Sequence, residues 1–501
     1  MADRPYLVGY TDRLSAAPGE TLTVMAGADS AQAADVALVR MGAGDPTGRA
    51  REEIVARLDP VEVVSQRTQL GSFLTVPGAE RAGGAGAFTV AVLAMPTRLG
   101  RPQGLVAQSS EGCSWMLGLD AGGHPVASTR AGALAVEVRS PYPLVEGAWY
   151  LVAACFDPAA GIALSVRVLP ETAAWRTARD TTVVPGDAST GAALGIGGLL
   201  RAPIVIAAAP TGCGDEAAGD AGPVAACCYD GKLELPQLVE GMLDDDLLGR
   251  LTAGELAHDR LLVGWDFADR IAGGRRSGSV VPCTGMAGCD GTLWNTPSDA
   301  VTGHRWDGSE HDFRQAPAQY GAIHFHADDL DDCRWRPTIE LHLRGDLRSG
   351  AYAVRLSDGR GLVDRVPFFI RPARPTAPLV YLVPTASYLA YANDHPVSDG
   401  SFSEATAGQV PVLYADDLLL DEHREWGMSC YDAHGDGSGV SITTSRRPLM
   451  NMRPTHRYHV GPWQLPADLA VLDWLDDQKI AYDVVTDEDL EREGAELVAP
   501  Y

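Results

Sequence analysis

Through the first sixty or so residues apolar positions recur at the two-residue period of a β-strand. Leu22-Thr23-Val24-Met25 follows the turn Pro18-Gly19-Glu20, and Asp35-Val36-Ala37-Leu38-Val39 repeats the pattern. These strands are too few to close a core. From about Gly71 to Trp294 come many short apolar runs broken by Gly, Pro and Asp, among them 88–93, 114–119, 149–156 and, after the turn Asp157-Pro158, 162–168. That spacing predicts a many-stranded sandwich. Strands return at 321–326, 339–343, 349–356 and 366–370. Together with the N-terminal strands they would complete one domain, so residues 1–70 plus 295–372 are expected to form one β-sandwich with 71–294 inserted at a loop, where insertion is structurally cheap. After Arg371-Pro372-Ala373-Arg374-Pro375 the grammar changes. Residues 379–383 read as a buried strand, 465–478 carry a helical stripe of Leu469, Leu472 and Leu475, and 482–485 read as a second strand. Strand, helix, strand is the unit of a doubly wound parallel sheet, so residues 373–501 are expected to hold the first part of an α/β domain. Two strands leave much of such a sheet uncovered, which predicts either a fragment or a partner that supplies the rest.

The inserted segment resembles a concanavalin or laminin-G-like jelly roll. The likeness rests on Trp149 and Asp157 at the hairpin that joins 149–156 to 162–168, and on Trp265-Asp266-Phe267 at a strand end. The expected fold is therefore mainly β and multidomain: an immunoglobulin-like sandwich, an inserted jelly roll, and a partial doubly wound, amidotransferase-like α/β piece.

Composition narrows the partners. With 66 acidic against 40 basic residues the formal charge is -26, which repels nucleic acid and anionic membrane surfaces. The acid excess is spread along the chain and reads as a solvated surface. The start Met-Ala-Asp-Arg-Pro-Tyr lacks a signal-peptide pattern and no apolar run is long enough to span a bilayer, so a cytoplasmic protein is expected. Nine cysteines at irregular spacing fit neither a disulfide framework nor a paired zinc motif, although Cys213, Cys227, Cys228, Cys283 and Cys289 cluster in sequence and leave a small metal knot as an alternative. Nucleophile-elbow, phosphate-loop and HExxH patterns are absent from the sequence, which argues against a serine hydrolase, a P-loop NTPase and a thermolysin-like protease.

Two polar stretches fall near strand ends, where open α/β sheets bind ligands. One is Pro384-Thr385-Ala386-Ser387-Tyr388-Leu389-Ala390-Tyr391-Ala392-Asn393; the other is Ser429-Cys430-Tyr431-Asp432-Ala433-His434-Gly435-Asp436-Gly437-Ser438-Gly439-Val440, ahead of Arg446-Arg447-Pro448-Leu449. With Thr302-Gly303-His304-Arg305-Trp306-Asp307-Gly308 and Tyr320-Gly321-Ala322-Ile323-His324-Phe325-His326, they resemble the large (beta) subunit of the N,N-dimethylformamidases. The resemblance runs over nearly the whole chain and is strongest after residue 295.

The resemblance implies an iron-dependent amidohydrolase that splits the C–N bond of N,N-dimethylformamide-like small amides into formate and an amine. It implies a ferric ion held by two tyrosinates and a glutamate, with a histidine serving hydrolysis. Tyr391 and Tyr431 match the tyrosine ligands, with Tyr388 as a second choice for the first; Asp432, His434, Asp436 and Asn393 are candidates for substrate contact or for orienting the ligands. Hard phenolate oxygens suit a ferric Lewis acid. The glutamate and histidine of the family lie in a Gly-Ser-His-Pro-Glu motif expected beyond Tyr501, so no catalytic residue is assigned within this chain, its iron site is incomplete, and it is expected to be inactive alone. A small subunit and homo-oligomerisation are the implied partners. The residue-level alternatives are plainer: tyrosines capping a core, a turn at Gly435-Asp436-Gly437-Ser438-Gly439, and His324 and His326, two apart on one strand face, either as structural hydrogen-bonding groups or as metal chelators. A carbohydrate- or protein-binding β-sandwich without catalysis is the alternative at the level of the whole chain.

Overall fold

The computed structural model describes residues 4–44, 50–82, 84–169, 186–210, 225–271, 278–286, 288–395, 404–405, 408, 413–457 and 461–501. The chain is mainly β and divides into two compact units. Unit 1 is formed by 1–69, 330–434 and 438–501, and unit 2 by 70–329 with 435–437.

In unit 1 the N-terminal strands pair with strands more than 300 residues downstream. Thr21–Ala28 lies between Leu7–Thr11 and Ile339–His342, antiparallel to both. A second sheet runs Ser15–Ala16, Val363–Ile370, Gly350–Ser357, Gln32–Gly44, Ala50–Val63. Strand alternation sends Leu22, Val24, Leu38, Val354, Val366 and Phe368 into one core between the sheets. At the sheet edge Ala50–Val63 carries charged residues, with Glu52 held by Arg355 and Arg365 at 2.8 and 2.7 Å, and a charged edge resists pairing with other chains.

The other face of the five-stranded sheet carries the α/β segment. Leu379–Val383 and Tyr482–Thr486 pair in parallel, and the helix Leu465–Asp477 turns Leu465, Leu469, Leu472 and Leu475 onto Val39, Met41 and Phe369. The 4-3-3 spacing of those leucines is one helical stripe. Arg40 fixes the helix end by pairing with Asp476 at 2.6 Å and donating to the Tyr482 hydroxyl at 2.8 Å. Strand, helix and strand fall where the sequence pattern puts them, but the first strand, read as buried, is mostly uncovered: with one neighbouring strand in its sheet, Leu379 and Leu382 stay exposed.

Unit 2 contains an eight-stranded sheet and a nine-stranded sheet. The hairpin Tyr150–Asp157 to Gly161–Val168 is antiparallel, and its turn closes because Asp157 Oδ1 accepts the N–H groups of Ala159 and Ala160 while Gly161 takes φ +97°. Phe88, Trp115, Phe156 and Trp265 fill the core between the sheets. Residues 295–329, read from the sequence as part of the first sandwich, lie in unit 2 instead. The reason is pairing: Ala322–Phe325 bonds to Gly231–Glu240 at the nine-stranded sheet, and Ser298–Val301 bonds to Ala322–Phe325. Alternation alone could not say which sheet the 321–326 strand would join.

The cysteines among the described residues are thiols, and none of them belongs to a cluster of metal-ligating groups; Cys213 lies outside the described residues. No helix among the described residues is long and apolar enough to cross a membrane.

One buried group ties unit 1 to pH. Burial, helped by the Arg453 charge, pulls His456 down to about 4. A base with a lowered folded pKa is neutral in the fold but protonates when the chain unfolds. Its stabilisation is therefore complete above about pH 6.5 and is lost as pH falls toward 4. The thermal midpoint of the protein should drop across that window, and His456→Leu should flatten the slope there; identical slopes would rule this histidine out as the cause.

Candidate functional site

The two tyrosine-bearing segments both belong to unit 1. The first begins as the short helix Thr385–Ala390, immediately after the strand Leu379–Val383. Tyr388 faces inward, is buried with Leu389 and Val383 nearby in the core, and gives its hydroxyl to Asp468. Burial and that carboxylate raise its pKa. The helix stops at Tyr391, and Asn393 follows at φ +59°, a left-handed conformation that asparagine tolerates better than most residues.

The second segment is mostly irregular backbone and is organised by side chains. Asp432 Oδ2 accepts the Ser429 N–H at 2.8 Å, while Ser429 Oγ accepts the N–H groups of Tyr431 and Asp432 and donates to Asp394 at 3.0 Å. This closed turn holds Tyr431 at its tip, 63% exposed. His395 Nδ1 lies 3.1 Å from Asp432 Oδ2. Burial would raise the Asp432 carboxyl, but the hydrogen bond and charge of His395 and the Ser429 donors hold it below the usual range. A ladder bridge between Ala433 and Gly439 closes the loop beyond, and the buried His434 donates its N–H to Ser438 at 2.8 Å.

One backbone bond sets the two tyrosines side by side: Cys430 N–H to the Ala390 carbonyl, 2.8 Å. The next residue on each segment is a tyrosine. Their rings stack 4.0 Å apart between centroids and 12° from parallel, and Trp463 meets Tyr391 edge-on at 4.6 Å. The Tyr431 side chain alongside is the chief cause of a raised pKa at Tyr391.

Two buried polar side chains lock this arrangement. Asn393 donates to the carbonyls of Trp426 and Pro448 at 3.1 and 2.8 Å and accepts from Met450 N–H at 3.0 Å, so its amide is committed to backbone. Arg447 is fully buried and donates to the carbonyls of Met428, Ala392 and Trp426 and to Thr443 Oγ1, at 2.9 to 3.3 Å. Burial lowers its pKa to about 10, still well above neutrality, so the guanidinium stays charged. Gly427 passes beside it at φ +82°, where a Cβ would come within 2.3 Å of Arg447 Nη1.

The structure thus brings Tyr391, Tyr431 and Asp432 together, places Asn393 beneath them as a support, and occupies Tyr388 with Asp468. His395, Trp463 and Arg447 emerge here as participants that sequence reasoning did not single out. Asp394-His395 directly follows the Tyr391 segment and was the available clue. A small cavity of about 60 Å³ opens beside this pair, lined by Asp394, His395, Leu413, Asp417, Leu418 and Leu420 among others.

Chemically, the site offers two stacked phenol rings, one of them solvent-exposed, with a paired histidine and carboxylate in the turn that carries the second. Two adjacent phenols suppress each other's ionisation unless a cation compensates both charges.

Comparison with known proteins gives the family. The family described as N,N-dimethylformamidase beta subunit-like, C-terminal, matches residues 298–501. The N,N-dimethylformamidase beta subunit of Paracoccus aminophilus is 37% identical over 513 aligned positions, covering 98% of this chain and 66% of that protein. The beta subunit of the same name from an Alcaligenes species is 35% identical, with the same coverage. The chain therefore spans 66% of the length of these relatives. Among solved structures, the SAP-like pentraxin of Limulus polyphemus overlaps 44% of this chain and 82% of its own at 13% identity, with a TM-score of 0.25 too low to carry structural argument.

Removing Arg447 should loosen both tyrosine segments at once. Arg447→Met is expected to cost about 3 kcal/mol or more, because the Ala392 and Met428 carbonyls lose the Arg447 donor and Trp426 keeps only that of Asn393; Arg447→Lys should recover only part, since an ammonium cannot span the same fork. Denaturation midpoints check this, and loss of amide protection on both segments should accompany it. In a separate test, Tyr431→Phe removes the neighbouring hydroxyl, so the Tyr391 phenol should ionise at lower pH in an ultraviolet titration of the metal-free protein. An unchanged curve would show that Tyr431 is not the cause of the raised value.

Proposed function

Because this chain belongs to the N,N-dimethylformamidase beta-subunit family, we propose that it supplies the tyrosine half of an iron site in an amide hydrolase acting on small formamide-like substrates. The observation that supports this most is the stacked pair Tyr391 and Tyr431, two phenol rings side by side on neighbouring segments with the Tyr431 ring open to solvent. When bound, ferric iron would act as a Lewis acid on the amide carbonyl and on water.

The residues of the chain do the rest of the positioning in this reading. Tyr391 is fixed by Trp463 and by the Ala390 carbonyl bond; Tyr431 is fixed by the Ser429 and Asp432 turn. Both phenols must lose their protons to bind, so binding weakens as pH falls. Asp432 and His395 act as positioning residues, with His395 at the mouth of the small cavity where a compact amide would be held. The 501 residues contain no Gly-Ser-His-Pro-Glu sequence, and in this reading the carboxylate ligand and the hydrolytic histidine are not assigned among them. The immunoglobulin-like reading of the first sandwich and the jelly-roll reading of unit 2 assign those domains to support and assembly, with a smaller partner subunit and a second copy of this chain as the expected contacts.

The test is spectroscopic. The 501-residue chain and a form extended by the rest of the family's catalytic domain are loaded with ferric iron. A visible tyrosinate-to-iron charge-transfer band together with N,N-dimethylformamide hydrolysis is expected in the extended form. Tyr391→Phe and Tyr431→Phe should each abolish activity and shift or remove the band. An extended form that binds no iron, or a band that survives both substitutions, refutes the assignment.

A further inference from the structure

Away from the tyrosine pair, unit 2 holds a second set of donors. The strand Ala322–Phe325 ends its pairing with Gly231–Glu240 at Phe325, and His324 and His326 flank that residue. Their rings lie 4.0 Å apart between centroids. Both side chains are buried, as is that of Asp436, which sits in the short segment 435–437 of the same unit.

Three ligand atoms meet there. Asp436 Oδ2 is 3.1 Å from His324 Nε2 and 3.8 Å from His326 Nε2, and all three atoms fall within 4.8 Å of one another. Around a tetrahedral zinc with bonds of about 2.0–2.1 Å, ligand atoms stand about 3.3 Å apart. The observed separations bracket that edge, so an ion fits with small side-chain adjustments. Thr97 Oγ1, 3.2 Å from His324 Nε2, borders the open position.

The surroundings are those of a prepared ligand set. Asp329 Oδ2 lies 3.3 Å from His326 Nδ1 and accepts from Ser72 Oγ at 2.6 Å and from the His326 N–H at 3.1 Å. A carboxylate on the far nitrogen fixes the tautomer that leaves Nε2 as a ligand. Asp436 is delivered by its glycines: Gly435 donates its N–H to Asp328 at 2.9 Å, and a Cβ there would collide with Arg98 at 1.9 Å, while Gly437 takes φ +85°.

We propose that His324, His326 and Asp436 form a binding site for one divalent cation of the zinc class, with Asp329 as the positioning carboxylate behind His326. Two imidazoles and one carboxylate suit zinc or cobalt(II), whereas phenolates suit ferric iron. This site is chemically separate from the tyrosine pair and does not depend on its function. Its role is structural: it clamps the 435–437 segment to the 322–326 strand from within unit 2.

The experiment uses the full chain, stripped with a chelator and titrated with zinc by calorimetry, and with cobalt(II) by absorbance. One equivalent should bind, the thermal midpoint should rise, and cobalt should give the ligand-field bands of a low-coordinate nitrogen and oxygen site. Asp436→Asn and His326→Ala should each weaken zinc at least about tenfold, and Asp329→Ala about 10- to 100-fold. The double variant Tyr391→Phe with Tyr431→Phe should bind zinc as the parent does, which separates this site from the iron reading. If His326→Ala fails to fold, Asp436→Asn and Asp329→Ala decide the matter. No zinc bound by the parent chain, or unchanged affinity in the folded variants, overturns the proposal.

Discussion

The arrangement of the candidate site depends on one buried charge. Arg447 gathers the carbonyls of Ala392, Trp426 and Met428, which belong to two segments with little regular structure. Neither segment could be held by apolar burial alone, because Tyr431 is largely in solvent. A guanidinium answers the need with a planar fork that reaches several acceptors in fixed directions. Taking that charge out of water costs several kcal/mol, so the gain must come from many bonds at once. Asp432, held ionised nearby, helps the charge persist at a pKa of about 10.

That polar knot works only because a rigid floor lies under it. The leucine face of the helix Leu465–Asp477 and the buried Tyr388 pack on the outer face of the five-stranded sheet, so the strand ends that launch the 384–395 segment are anchored on two sides. Asn451 extends the link by donating to the Tyr388 carbonyl at 2.9 Å and to Gln464 at 2.6 Å. A sandwich core, a shared sheet face and a helix thus pass positional order to a loop pair that has little of its own. Meanwhile Leu379, Leu382 and Trp474 remain exposed, as expected of a two-stranded parallel sheet with few covering elements.

Much of this was legible from residue pattern. The strand period around Val36 to Val39, the leucine stripe of 465–477 and the hairpin at Asp157 are local properties, and they appear where the periodicity puts them. The tyrosine candidates came from family resemblance, not from spacing. What stayed hidden depends on distant pairing. Residues 321–326 alternate as any strand does, and only the actual neighbour, Gly231–Glu240, decides that they belong to unit 2. His395 and Asp432 are 37 residues apart, and nothing in either neighbourhood announces the other. Gly435-Asp436-Gly437 read as a turn, which it is, but its glycines also permit an approach that sequence alone does not show.

The same logic separates the two candidate metal sites. The Tyr391 phenol is held neutral, as its raised pKa shows. An ion taken by the tyrosine pair would have to displace protons, which under the proposed reading favours a strongly acidic cation over a weaker one. Two imidazoles and a carboxylate, the donors proposed at His324, His326 and Asp436, suit a zinc-class ion instead.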